Sequence, residues 1–325
     1  MRKSLLILIG ALCAVLLYFT VQSADRVFRS DRQLPQSHAG QEARYRLVLI
    51  TQELDTPFWN QVAAGANAEA KASGASIEVW GSYNKDQDDF LKKLEIAIDS
   101  KVDGIILQGL DTEAFKNLTK VKAAFYGIPV ITVGSDVPMG ESLRRTYVGS
   151  NQFAAGQMIA RQLIADMGKS GTVILMGDNR QEYYQRQRIQ GIDDVLKSYP
   201  EVKTAYAETE ETRERVIATT QDMMNRLPDV DAFVAVNANI ADAMIQEIGR
   251  RSQVGPYDIY TFDDSSDSLD LLKAGKLDGV LEQSPDKMGR LSVSLMVKWL
   301  SGEVMPLQTD GYLTDIRMLK LKEAS

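Results

Sequence analysis

Among 325 residues there is one cysteine, Cys13, and one histidine, His38. A single cysteine excludes an intramolecular disulfide. With so few ligands of these types, a zinc centre built on His or Cys is excluded. Ser-His-Asp and Cys-His nucleophile systems are excluded from everything beyond the first forty or so residues. Basic charge is also short: 37 Lys and Arg face 44 Asp and Glu, a net charge of −7. No basic stretch of the kind that carries nucleic acid stands out. Low-complexity sequence is absent outside a polar segment near the start.

What is there begins with an apolar run, Leu5 to Val21, behind Arg2 and Lys3. It sits between a signal peptide, whose apolar stretch is ~7–15 residues, and a spanning helix, which needs ~17–25. Cys13 lies inside the run behind Leu12, which is too large for a usual lipid-attachment box. Residues 23–44 follow as a polar, aperiodic stretch with Pro35 and Gly40, a spacer in character. Residues 1–22 are therefore expected to be a signal or anchor helix. The spacer favours retention as an anchor, with the large domain exported.

Beyond the spacer, short apolar runs recur: Tyr45–Ile50, Gly104–Leu107, Pro129–Val133, Thr172–Met176, Ala232–Val236, Asp258–Phe262 and Gly279–Leu281. Continuous Val/Ile/Leu runs mark parallel strands covered by helices on both faces. Helical periodicity fills the gaps: Leu91, Leu94 and Ile98; Phe115, Leu118, Val121 and Phe125; Ile192, Val195 and Leu196; Met288, Leu291 and Leu295. Each run ends on a polar residue, in order Gln52, Gln108, Ser135, Asp178, Asn237, Asp263 and Gln283. Open α/β sheets bind ligands outside the carboxyl ends of their strands. The pattern runs twice, with a second set of units starting at Thr172. Two α/β lobes with a ligand cleft between them are expected.

Several segments, in order, resemble the periplasmic sugar-binding proteins of the ribose- and galactose-binding type. They are Thr56-Pro57-Phe58-Trp59, Asp103 to Gln108, Gly127 to Asp136, Val148-Gly149-Ser150-Asn151 with Gly156, Arg188-Ile189-Gln190-Gly191, Ala235-Val236-Asn237, Thr261-Phe262-Asp263 and Gln283-Ser284-Pro285-Asp286. The resemblance covers about 45–322. It implies two Rossmann-like lobes joined by three hinge crossovers, near Ser150, Gln283 and Gly311. On that basis 45–149 plus 284–311 form the N-terminal lobe, and 150–283 plus 312–325 the C-terminal lobe.

The same resemblance implies a sugar or polyol ligand in the cleft and lobes that close on it by hinge motion. It implies an extracytoplasmic receptor, periplasmic or membrane-anchored, that is no enzyme and needs no metal or cofactor. Its partner would be an ABC permease or a membrane sensor kinase; both stay open. Phe58 and Trp59 would present aromatic faces to the sugar ring, the alternative being packing of a helix start. Asp263 would accept two hydroxyls, or else cap the next helix. Arg188 would supply a planar fork of donors, or be a solvated face. Asn237 would donate and accept together, and Gln283 would bind ligand or the hinge. Gln108 and Gln52 complete the strand-end set.

Many relatives carry a carboxylate directly after the Pro-Val-Ile-Thr strand. Here Gly134-Ser135-Asp136 stands there, so Asp136 or a water is expected to substitute. Two other functions compete. A sugar-responsive repressor core would carry a helix-turn-helix where this chain has its apolar segment. A carboxylate-dependent glycosidase needs a pair of acids, and Asp136, Asp178 and Asp263 form no obvious pair.

Overall fold

The computed structural model describes residues 43–321, apart from 84, 181, 252–255 and 263–265, and leaves the side chain of residue 266 undescribed. The expected anchor over 1–22, the spacer up to residue 42, and Asp263 lie outside the described residues. Among the described residues, no helix is long and apolar enough to cross a membrane.

Two six-stranded sheets form. The first comprises β1 (Arg46–Thr51), β2 (Ser76–Gly81), β3 (Gly104–Leu107), β4 (Val130–Val133), β5 (Thr146–Gly149) and β11 (Tyr312–Leu313). Its spatial order is β11-β5-β4-β3-β1-β2, and every pairing is parallel. The second comprises β6 (Gly171–Asp178), β7 (Val202–Thr209), β8 (Ala232–Ala235), β9 (Asp258–Phe262), β10 (Gly279–Glu282) and β12 (Arg317–Leu319). Its order is β12-β10-β9-β8-β6-β7, parallel except where β12 runs against β10. These are two α/β lobes, as the repeated strand–helix pattern predicts.

The central strands are wholly buried because helices pack on both faces. Those of the first sheet are α1 (Pro57–Ser73), α2 (Gln87–Asp99), α3 (Glu113–Asn117), α4 (Met139–Ser142) and α10 (Pro285–Leu300). Those of the second are α5 (Gln152–Met167), α6 (Tyr183–Leu196), α7 (Arg213–Arg226), α8 (Ala238–Arg251) and α9 (Ser266–Lys273). Ile105 and Ile106 on β3 and Phe233 and Val234 on β8 have no exposed surface. Each such side chain contributes roughly 1.5–3 kcal/mol by leaving water.

Each lobe is braced by one tightly crossed helix pair. A Cβ added at Gly65 of α1 would lie 2.1 Å from the Asp286 carbonyl oxygen of α10. In the other lobe, one at Gly156 of α5 would lie 2.0 Å from the Arg188 carbonyl oxygen of α6. Only glycine allows the backbones so close, and this contact seats Arg188.

The edge strands β2 and β7 escape the sequence pattern. Their burial is mixed rather than continuous, so they show no apolar run. One helical face also turns out differently. Phe115 is buried, but Val121 is 57% and Phe125 82% exposed. After α3 the chain widens into a π-helical segment, Leu118–Ala123. The wider turn shifts the register, so Thr119 and Ala123 face inward instead.

The chain passes between sheets three times, after β5, after β10 and after β11. The third passage comes later than Gly311, because Tyr312 and Leu313 still pair with Val148 and Gly149 of β5. The crossing lies at residues 314–316, and the final strand is Arg317–Leu319. All three passages leave from the β5/β11 and β10/β12 side of the sheets. The edge strands β2 and β7 lie on the opposite side.

Candidate functional site

The carboxyl ends of both sheets face a shared cavity of about 330 Å3. That is at the small end of the usual range for ligand pockets. Helix starts surround it, because each strand end leads directly into a helix whose first N–H groups are unpaired. Phe58 and Trp59 arrive on the first turn of α1, whose preceding residue Thr56 caps the Trp59 N–H. Their rings meet edge to face, 5.5 Å apart at 81°.

Of the nine residues singled out from the sequence, the structure brings six to this cavity: Phe58, Trp59, Gln108, Arg188, Asn237 and Gln283. Asp263 lies outside the described residues. Arg188 is 2% exposed, donating from Nε to Gln152 Oε1 at 2.8 Å and from Nη1 to the Val236 carbonyl at 2.8 Å. Its guanidinium lies over the rings of Phe262, at 4.1 Å, and Tyr184, at 4.9 Å. A guanidinium so placed is held rigidly by two hydrogen bonds and two rings. Gln152 also donates from Nε2 to Gln283 Oε1 at 3.2 Å, which ties two of the three crossovers together.

Gln108 accepts from Thr51 Oγ1 and from the Gln52 N–H, both at 2.9 Å, and donates from Nε2 to Glu53 at 3.3 Å. Asn237 accepts from the Asn239 N–H at 2.8 Å and donates to Glu211. Both amides are thus oriented before any ligand arrives.

Two expectations are corrected. Gln52 is fully buried, its side-chain amide has no partner among the described residues, and it does not line the cavity. Successive residues of an extended chain face opposite ways, and its neighbour Glu53 takes the place on the wall. Asp136 does not substitute for the carboxylate missing at Gly134. Both its oxygens are held by Arg144, at 2.6 and 2.7 Å, and Thr132 Oγ1 donates to one of them at 2.6 Å. Arg144 is 5% exposed, and a guanidinium so far from water needs a full carboxylate. Glu53 is the carboxylate that the first lobe brings to the cavity wall.

Ser135, a strand-end residue, also reaches the wall, while Gln152, Tyr184 and Asn239 on it went unread in the sequence. Asn239 donates to Glu53 across the cleft at 3.2 Å, joining the lobes. Next to the cavity lies a second polar group built round Lys85, which is 6% exposed. Its Nζ stands 2.8 Å from Glu211, 3.5 Å from Asp178 and 3.7 Å from Glu53. Burial works against the ammonium, but the field of Tyr184 and of Glu53, Glu182 and Glu211 overcomes it and holds Lys85 firmly protonated. Arg180 adds a bond from Nη1 to the Lys85 carbonyl at 3.1 Å. Lys85 follows the edge strand β2; recognition of that strand would have pointed to it.

A family model described as a periplasmic binding protein domain matches residues 47–303. The ribose import binding protein of Bacillus subtilis (strain 168) is 23% identical over 269 residues, which cover 82% of this chain and 85% of that one. Among solved structures, GanP, a glucose-galactose binding protein from Geobacillus stearothermophilus, is 28% identical with a TM-score of 0.81, covering 87% of this chain and 99% of that one. A chain of the XylFII–LytSN complex is 25% identical with a TM-score of 0.77, over 86% and 98%. With two parallel-dominated lobes, strand ends facing one cavity, and a family match across most of its length, this chain belongs to the periplasmic binding protein family.

Proposed function

We propose that the chain is a non-enzymatic, extracytoplasmic receptor for a sugar or sugar-like polyol, held between the lobes. The observation that carries this is the makeup of the interlobe cavity. An aromatic pair, Phe58 and Trp59, stands on one wall, and Arg188, Asn237 and Gln283 stand on the other and at the hinge. Aromatic faces suit the C–H face of a sugar ring, and the polar groups suit its hydroxyls. Asp263, at the end of β9 in sequence, completes the set by accepting two neighbouring hydroxyls. Glu53 supplies the first-lobe carboxylate in place of the residue missing at Gly134. Ligand contacts to both lobes stabilise the closed form over the open one.

A glycosidase is disfavoured by the state of the acids. On the cavity wall, which also carries Asp267, Glu53 accepts from Gln108 and Asn239, and Asp242 is paired with Arg213 at 2.7 Å. The carboxyl pushed upward in this region, Glu182, is not on that wall.

The closed form would be read by an ABC permease or by a membrane sensor kinase. The signalling reading gains from the similar chain solved in complex with LytSN. It gains also from the apolar segment and spacer at residues 1–44, which would tether the receptor beside a membrane partner and raise its effective concentration there.

A thermal-shift screen of the full chain against pentoses, hexoses and inositols tests the receptor reading. A ligand at a hundredfold excess over its Kd stabilises by ~2.7 kcal/mol. Asp263→Ala should remove the shift while the protein stays folded. No shift from any sugar at millimolar concentration would overturn the proposal.

A further inference from the structure

Between the lobes, beside the cavity, the chain buries more negative charge than its one lysine balances. Glu53 follows β1 and Lys85 follows β2 in the first lobe; Asp178 ends β6, Glu182 precedes α6, and Glu211 follows β7 in the second. Three of the carboxylates have Lys85 Nζ within 4 Å. The fourth, Glu182, is 7% exposed, and neither of its oxygens has a hydrogen-bond partner among the described residues. The amide nitrogens of Gln52 and Gln185 are also buried without partners among the described residues. Tyr184, half-buried, faces the same group, and burial holds its phenol protonated. Arg180 is engaged with the Lys85 carbonyl rather than with a carboxylate of the cluster other than Asp178, whose Oδ1 accepts from its backbone N–H at 2.9 Å.

An ionised carboxylate cannot be buried unpaired at acceptable cost; it is neutralised instead. Glu53 and Lys85 belong to one lobe and Glu182 to the other, so this environment exists only when the lobes meet. The geometry points to a proton as the ion this chamber takes up: closure of the lobes protonates Glu182, and closure is therefore linked to external pH. Burial pushes the Glu182 carboxyl up to about 7, against the pull of Lys85 and with the help of Glu53, Glu211 and Asp178. In the open form it leaves both Lys85 and Glu53, and with water reaching it and its neighbours Asp178 and Glu211 it returns toward the ordinary value of 4.5. The closed form then binds more protons than the open form. Closure is favoured at low pH and is lost progressively as pH rises from the open-form value to the closed-form one. Above that it levels off.

Pulsed dipolar spectroscopy on the ligand-free full chain tests this, with spin labels at exposed Asp88 in the first lobe and Glu214 in the second, on a Cys13→Ser background. With those two acid constants, the closed-to-open ratio falls about tenfold between pH 6 and pH 8. Glu182→Gln, uncharged and nearly the same shape, should hold the low-pH distance distribution at every pH. A wild-type distribution that does not change over this range overturns the proposal, whether or not the variant folds. So does a Glu182→Gln chain that keeps the wild-type pH dependence.

Discussion

The two edges of the cleft are built from different chemistry. At the hinge edge, beside the crossovers, Arg188, Gln152 and Gln283 form a chain of amide and guanidinium hydrogen bonds. At the far edge, below β2 and β7, Lys85 is surrounded by Glu53, Asp178 and Glu211, with Glu182 nearby. The difference follows from what a hinge does. Groups at the crossovers sit near the rotation axis and stay together at any lobe angle, so directional hydrogen bonds suffice. Groups at the far edge meet only on closure. Charge there contributes little when hydrated and much when buried, which makes the far edge the part that responds to conditions.

Three substitutions would break or sharpen this contrast. The largest effect is expected from Lys85→Met. It leaves Glu53, Asp178 and Glu211 buried together without their cation, and breaking a buried ion pair costs about 3–5 kcal/mol. Because the cost falls on the closed form, interlobe distances should lengthen at neutral pH while each lobe keeps its helical circular dichroism. Unchanged distances would mean that the far edge does not govern closure. Next, Gln152→Leu removes the link between Arg188 and Gln283. Stranding their buried polar atoms should cost about 1–3 kcal/mol, read as a lower melting temperature without ligand and with little dependence on pH. A pH-dependent loss would erase the distinction between the edges. The smallest effect belongs to Arg186→Ala. Arg186 bridges the lobes to Asp111 at 2.7 Å, but both side chains are largely hydrated, at 40% and 30% exposure. The change in melting temperature should correspond to less than about 1 kcal/mol and vanish in high salt.

Much of the fold was legible because buried parallel strands leave a continuous apolar run, and β1, β3, β4, β6, β8, β9 and β10 all do. The edge strands did not, since half of each faces outward, and Lys85 was lost with β2. The candidate site was legible where a strand end leads straight into a helix: Phe58, Trp59, Gln108, Arg188, Asn237 and Gln283 reach one cavity. It was misread at Gln52, where one step along an extended chain exchanges inside for outside. It was misread again at Asp136, where a buried arginine eight residues away claims the carboxylate.

By itself the sequence determined the two-lobed α/β architecture and the family, because hydrophobic periodicity and short motifs are local properties of the chain. Only the tertiary structure decided which carboxylates face the cavity, which are consumed by internal pairs, and which is left unpaired. Those outcomes depend on distances between residues up to 186 positions apart, as Glu53 and Asn239 are. A side chain's charge state and availability are set by its neighbours in space, and no local pattern encodes them.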